Sequence, residues 1–301
     1  MLHHVDTMKR GFGRRSFFKL IGAAGIATVP VGTATASEEA GPSDSLGVLI
    51  DTTRCMGCRT CEFMCAESNG LPEPDPDWGV LEEPRTTSDS QLTVVNQYET
   101  EKGPVFIKRQ CMHCVQPACA SACLTKAMHR SDEGPVIWRE SKCMGCRFCM
   151  ISCPFDVPKF EYDSPVPHIR KCTLCAERRE QGEMPACIEN CPGEALLFGL
   201  RSDLLREANT RIYNNPDSYF HEIYGEHVVG GTSMLYLASV PFEQLGLRTD
   251  LGTTPYPELT KGFLYSVPVI LTLVPAFLAA VSAATKSNSD SDGKGAHDAG
   301  E

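Results

Sequence analysis

Residues 143–153 read Cys143-Met-Gly-Cys-Arg-Phe-Cys-Met-Ile-Ser-Cys153, four cysteines spaced C-x2-C-x2-C-x3-C. In that spacing three thiolates wrap one [4Fe–4S] cube and the fourth reaches a second cube. The same run stands at Cys55, Cys58, Cys61 and Cys65. Two variants complete the pattern: Cys111, Cys114, Cys119 and Cys123 (C-x2-C-x4-C-x3-C), and Cys172, Cys175, Cys187 and Cys191 (C-x2-C-x11-C-x3-C). These are all 16 cysteines of the chain. At four thiolates per cube they make four cubes with no ligand left over. The closed count reads as an electron wire.

Two other uses of cysteine compete. A disulfide framework is the default for an exported Cys-rich chain. Bridges need defined Cα and Cβ geometry, and four thiols crowded into single short loops do not offer it. Structural zinc prefers two C-x2-C pairs on separate knuckles. Only the Cys172–Cys191 group could pass for that.

The ends of the chain address its location. Gly13-Arg14-Arg15-Ser16-Phe17-Phe18-Lys19 matches a twin-arginine export signal. An uncharged run from Leu20 to Thr33 follows, then the small-x-small cleavage site Ala34-Thr35-Ala36. Export in the folded state resolves a conflict, because cubes can be inserted where thiols stay reduced. Near the other end, Gly262 to Ala284 is a 23-residue run without a charge, flanked by Lys261 and Lys286. About 20 apolar residues span a bilayer core. Pro268 and Pro275 lie within the run and suit a membrane helix better than a soluble one. The Ser/Asp/Gly-rich tail Ser287 to Glu301 has no apolar content to fold. With the signal setting orientation, the cysteine groups lie on the periplasmic side of the inner membrane and the tail inside.

The whole chain carries −10; residues 1–36 hold five basic side chains against Asp6, leaving −14 for the rest. Such an acidic body excludes nucleic acid as a partner, which needs a basic face. Twenty-one prolines and 25 glycines suit loop-rich domains in which metal–thiolate bonds replace much of a hydrophobic core. Strand-like runs precede three of the groups: Leu46–Ile50, Val105–Ile107 and Val136–Trp138. Gly57 and Gly145 sit inside ligand loops, where positive φ is cheap only for glycine. His113 takes that place in the second loop and reads as a loop residue, since four cysteines suffice there. Asn69 to Glu101 looks like an insertion, and Tyr162 to Pro167 a proline-bearing link. Beyond Cys191, Glu194 to Phe198 is expected to start a helix. Ser202 to Arg211 is expected to form a second, with Ser202 as N-cap. Met234–Leu237 reads as a short strand. Arg59 and Arg147, beside ligand cysteines, are candidates for raising a cluster's potential, with solvated surface arginines the alternative. No nucleophile elbow, phosphate loop or dinucleotide fingerprint is present, so no catalytic residue is assigned.

Spacing leaves the pairing of groups open: 19 residues separate Cys123 from Cys143 and 18 separate Cys153 from Cys172, so the third group could partner either neighbour. Here a resemblance adds information. The segments Cys55-Met-Gly-Cys-Arg-Thr-Cys, Cys111-Met-His-Cys-Val-Gln-Pro-Ala-Cys, Cys143-Met-Gly-Cys-Arg-Phe-Cys, Cys153-Pro-Phe-Asp-Val-Pro-Lys and Cys172-Thr-Leu-Cys resemble the four-cluster ferredoxin-type subunits of membrane respiratory oxidoreductases. The likeness continues through Cys191-Pro-Gly-Glu-Ala, Gly230-Gly-Thr and the C-terminal anchor. Leu124 departs from it, since proline is usual there, but no ligand is lost. A twin-arginine signal and an anchor on one chain resemble the iron–sulfur subunit of hydrogenase-2-type complexes (HybA type). The x11 gap and the Gly-Gly-Thr segment also resemble the β-subunit of membrane formate dehydrogenases. Those β-subunits usually lack an export signal, so Arg14-Arg15 favours the hydrogenase type.

The resemblance implies an α+β fold of two interleaved 2×[4Fe–4S] ferredoxin-like domains. The outer domain is built from 37–68 and 170–200, the inner from 105–169. Around them lie a signal peptide (1–36), an insertion (69–104), an extension (201–260), a transmembrane helix (261–285) and a disordered tail (286–301). It implies ligand sets in which paired motifs exchange their fourth cysteine: Cys55, Cys58, Cys61 with Cys191; Cys172, Cys175, Cys187 with Cys65; Cys111, Cys114, Cys119 with Cys153; and Cys143, Cys146, Cys149 with Cys123. It also implies partners, a catalytic oxidoreductase subunit (a nickel–iron hydrogenase or a molybdopterin enzyme) and an integral membrane subunit that reacts with quinone. The chain itself would relay electrons without catalysis. A metal-binding anchor or assembly protein that carries no current is the rival reading. An enzyme with an open cluster site is disfavoured by full four-cysteine ligation.

Overall fold

The computed structural model describes residues 45–292, so the twin-arginine stretch, its cleavage site and the last nine residues lie outside the described residues. Strand β1 (Leu46–Asp51) runs into the first cysteine loop and is the middle strand of a three-stranded sheet. Its partner on one side is β8 (Leu196–Leu200), antiparallel, with Val48 opposite Phe198. On the other side lies β9 (Met234–Leu237), parallel, with Leu49 opposite Leu235. The strand that enters the first cysteine group is thus bonded to the strand that leaves the fourth.

Side chains alternate across a strand, and both faces of this sheet are covered. Val48, Ile50, Met234, Tyr236 and Leu196 enter one core cluster, where Val105, Ile107, Met112 and Leu174 meet them. Leu49, Leu235 and Leu237 face the other way, onto Leu204 and Ala208 of α6 (Arg201–Asn214). Burying each such aliphatic side chain contributes about 1.5–3 kcal/mol. The segment after Cys191 is therefore structural, supplying a sheet strand and the helix that covers it.

The remaining strands form hairpins between cysteine groups. Strand β2 (Val94–Thr100) pairs with β3 (Gly103–Arg109), β4 (Met128–Arg130) with β5 (Val136–Trp138), and β6 (Lys159–Phe160) with β7 (Ile169–Arg170). The stretch expected as an insertion thus contributes β2, whose Val94 and Val95 are buried. Each group also carries a short helix: α1 (Thr60–Ser68), α2 (Ala118–Ser121), α3 (Phe148–Ile151) and, in the fourth, α5 (Ala186–Glu189) after α4 (Ala176–Glu180). Helix α1 packs on α5, and α2 on α3.

Three local expectations differ from the structure. Residues 196–200 are a strand, because pairing with β1 supplies their backbone partners, and no helix starts at Glu194. Helix α6 begins at Arg201 rather than at a Ser202 cap. The Arg201 N–H is taken by the Ser45 carbonyl at 2.8 Å, so the sheet continues to the first helical residue. The final helix, α7 (Tyr256–Asp292), runs on past Lys286 into the stretch expected to be disordered, as extending a helix costs far less than nucleating one. Within α7, Tyr256–Ala283 contains an 18-residue window of mean hydropathy 2.2, none of it buried. At 1.5 Å per residue these 28 residues reach about 42 Å, beyond the ~30 Å of a bilayer core.

Candidate iron–sulfur centres

The third cysteine of each group (Cys61, Cys119, Cys149, Cys187) is the second residue of its short helix. The fourth lies four residues on: Cys65 one turn away on the same face of α1, and Cys123, Cys153 and Cys191 two residues past the ends of their helices. The residue before each second cysteine takes positive φ in all four loops: Gly57 (+72°), His113 (+44°), Gly145 (+71°) and Leu174 (+56°). All four loops therefore make the same left-handed turn, which swings backbone N–H groups toward sulfur.

Helix pairing brings the thiols together in sets that cross the linear groups. Cys55, Cys58, Cys61 and Cys191 line one cavity, walled by Ile50, Ala195 and Leu196. A second is lined by Cys65, Cys172, Cys175 and Cys187 among Val48, Leu174 and Met234. A third holds Cys123, Cys143, Cys146 and Cys149 with Met128, Trp138 and Ile169. Cys114, half-buried, feels the negative charges of Cys111, Cys153 and Cys119, which makes the fourth set. Neighbouring sets are also in electrostatic reach: Cys187 is felt at Cys61, Cys111 at Cys172 and Cys149 at Cys119. Each set is thereby neighbour to the next: the set of Cys61 to that of Cys187, that of Cys172 to that of Cys111, and that of Cys119 to that of Cys149.

The donor chemistry fits iron–sulfur cubes. None of the sixteen cysteines is in a disulfide. Among the described residues no three His, Cys, Asp or Glu side chains converge as a single-ion chelate. Each set offers four soft thiols in an apolar pocket, the ligand class such cubes take. Burial, reinforced by neighbouring thiolates, pushes Cys119 and Cys172 up to about 12 and Cys149 up to about 11. Thiols this desolvated ionise only against a cation, so metal binding and deprotonation are one event. Donors aimed at sulfur are in place: Met128 N–H to Cys123 at 3.3 Å, Leu174 N–H to Cys172 at 3.4 Å, the Thr60 hydroxyl to Cys58 at 3.4 Å and Asn69 Nδ2 to Cys65 at 3.7 Å. At Cys123 burial raises the thiol, but the Met128 N–H and the Thr125 hydroxyl, with the Ala127 and Thr125 N–H groups, together outweigh it and hold the pKa below its ordinary value.

His113 is fully buried, and its Nδ1 accepts the Val136 N–H at 3.0 Å. Burial first, then the charges of Lys171, Arg179 and Lys108, hold its pKa well below the ordinary value, so it packs as a neutral ring. Arg59 is buried on Glu62 (3.1 Å) and on the carbonyls of Asp75 and Asp77. Arg147 is exposed, stacked over Phe160 and Tyr162. Both line thiol cavities, Arg59 that of Cys55 and Arg147 that of Cys143, but the Arg59 charge is shared with Glu62. Two lysines that the motif reading passed over stand beside sulfur as well. Lys108 lines both the first and second cavities. Lys171 is buried beside the set of Cys111, its Nζ on the carbonyls of Val136 and Cys172. For Lys108 a signal existed: in β3 it follows Phe106 by two residues, and Phe106 packs on Gly57 of the first loop.

Residues 104–201 match the 4Fe-4S dicluster domain family. The chain is 48% identical over 284 residues to a protein of Nitratidesulfovibrio vulgaris (Hildenborough), covering 91% of this chain and 77% of that one. It is 33% identical over 227 residues to the iron–sulfur subunit of the nitrate-inducible formate dehydrogenase of Escherichia coli K12, covering 72% and 76%. To the hydrogenase-2 operon protein HybA of Escherichia coli O157:H7 it is 34% identical over 326 aligned positions, covering 95% of this chain and 99% of HybA. A match that runs through nearly the whole of both proteins places the chain in the family of ferredoxin-type iron–sulfur electron-transfer subunits that includes HybA and the formate dehydrogenase iron–sulfur subunits.

Proposed function

We propose that this chain is the periplasmic, membrane-anchored relay of a hydrogenase:quinone complex, carrying electrons through four [4Fe–4S] cubes. The observation that carries the reading is the succession of four thiol sets, each neighbour to the next. The cubes, when bound, supply one-electron storage; everything else is the work of the polypeptide. Cys55, Cys58, Cys61 and Cys191 would hold one end of the succession, and Cys65, Cys172, Cys175 and Cys187 the next position. Cys111, Cys114, Cys119 and Cys153 would follow, with Cys123, Cys143, Cys146 and Cys149 at the far end. Paired motifs would thereby build two interleaved ferredoxin-like halves, the outer from the first and fourth groups and the inner from the second and third.

Two features support a membrane partner at the far end. Helix α2 contacts α7, the apolar helix. Around the exposed Cys146 stand Leu124, Met144, Phe148 and Ile151, each more than half exposed. That apolar rim suits docking on an integral membrane subunit that reduces quinone. The opposite end would face the catalytic subunit. Arg14-Arg15 supports export by the twin-arginine route and favours a nickel–iron hydrogenase as that subunit. The likeness to formate dehydrogenase subunits supports a molybdopterin enzyme as the second reading. The complex, extracted in detergent and purified through this chain, is expected to hold about four irons per thiol set, to show four reducible cubes by EPR, and to contain nickel. Molybdenum without nickel would select the second reading. Fewer than three reducible cubes would refute the relay.

A further inference from the structure

Lys108 is 5% exposed, at the end of a strand whose Val105 and Ile107 point into the core. Its ammonium donates to Gln110 Oε1 at 3.0 Å. Gln110 Nε2 in turn donates to the Tyr236 hydroxyl at 3.0 Å, and that hydroxyl donates to the Lys108 carbonyl at 2.9 Å. The loop of bonds fixes where the charge stands. It supplies no negative partner: among the described residues Lys108 has no carboxylate ion pair, and the buried acids Glu62 and Asp51 are occupied by Arg59 and Arg85 and by Arg211. An ammonium buried against a neutral amide is strongly unfavourable unless an anion compensates it.

The anions on hand are thiolates. Lys108 lines the cavity of Cys55, Cys58, Cys61 and Cys191 and also that of Cys65, Cys172, Cys175 and Cys187. It therefore stands in the walls of two thiol sets at once, each of which becomes anionic when its cysteines ionise to hold metal. We propose that Lys108 is a shared counter-cation placed between the first two cube sites, making both easier to reduce than their apolar walls would allow. The inference rests on the four-cube reading. Its physical basis is that a cube held by four thiolates is anionic and gains one further negative charge on reduction. A fixed cation in a poorly polarisable pocket stabilises the reduced state more than the oxidised one. One charge facing two sites also keeps their potentials close, as rapid exchange between neighbours requires.

The test is a dithionite titration of the purified complex, followed by EPR, in wild type, Lys108→Met and Lys108→Arg. In Lys108→Met the ratio of reduced to oxidised cube at a fixed potential is expected to fall at least tenfold for two of the four signals, a shift of about 59 mV for one electron. The other two signals stay in place. Lys108→Arg keeps all four near their wild-type positions. Four unmoved signals at full iron content, or four that move alike, would overturn the proposal. Should Lys108→Met load less iron, Lys108→Arg decides. A fully loaded arginine variant shows that the charge is what holds the two sites, whereas an equally depleted one shows that only packing was lost. A wild-type complex without four reducible cubes would instead remove the reading beneath the inference, and the inference with it.

Discussion

One backbone position shows how far a motif can be trusted. The residue before each second cysteine stands at positive φ in all four loops, but only Gly57 and Gly145 announce this in the sequence. In the other two loops His113 and Leu174 accept an αL conformation that costs an L-residue about 1–2 kcal/mol. Both are buried, and their packing offsets the strain. The motif thus shows which atoms ligate, and tertiary burial hides the rest of the turn. The two glycines also differ. A Cβ on Gly57 would lie 2.4 Å from the Phe106 ring, whereas one on Gly145 meets nothing within 4 Å. Gly145→Ala should cost only the conformational ~1–2 kcal/mol. Gly57→Ala should add overpacking of about 1–3 kcal/mol. Loss of cluster absorbance on warming is therefore expected to be fastest in Gly57→Ala and only modestly faster than wild type in Gly145→Ala. Equal rates would show that the ring gives way freely.

At the scale of elements, Glu62 fastens α1 to the hairpin that follows it. Its carboxylate is 2% exposed and accepts from the Val95 N–H at 2.6 Å, from Arg85 at 2.6 Å and from Arg59 at 3.1 Å. Arg85 and Val95 both belong to the stretch that reads as an acidic, proline-bearing insertion. Composition describes the surface of such a segment, and here the deciding contacts are one carboxylate and one strand edge. The strands Leu46–Ile50, Val136–Trp138 and Met234–Leu237 were legible because apolar and β-branched residues bounded by turns need sheet partners. The strand at 196–200 was not, because its partner β1 lies some 150 residues earlier in the chain. Glu62→Gln removes the negative charge and leaves two guanidinium groups sharing a neutral amide. The loss of stability should be about 3–5 kcal/mol, read as a lower temperature of cluster loss. The first two thiol sets should bleach before the others, since α1 carries Cys61 and Cys65. A uniform loss of all sets, or none, would show that α1 is held mainly by its contact with α5.

For the whole molecule, the cysteine count was complete in the sequence, while the crossing of groups into sets was not a matter of spacing. It follows from pairing β1 with β8 and from packing α1 on α5 and α2 on α3, all of them long-range contacts. The apolar helix α7 is the reverse case. Its apolar run was plain in the sequence, and the fold adds that Phe263, Leu271 and Phe277 point away from the rest of the protein, each about 70% exposed. Its hydroxyls turn back to the helix: Ser266 donates to the Phe263 carbonyl at 2.7 Å, and Thr272 to those of Pro268 and Val269 at 3.0 Å. In hydrocarbon each polar group must be satisfied within the segment, so this helix is prepared for lipid. It also contributes little to the body, whose sheet and cores are complete by Leu251. A chain ended at Pro255 is therefore expected to keep its full iron content and its EPR signals, but to leave the membrane fraction. The full-length chain should resist extraction by alkaline carbonate. If the shortened chain stayed in carbonate-washed membranes, anchoring would belong to the apolar rim around Cys146 and its partner rather than to α7. If it lost iron, the helix would be part of the folded body.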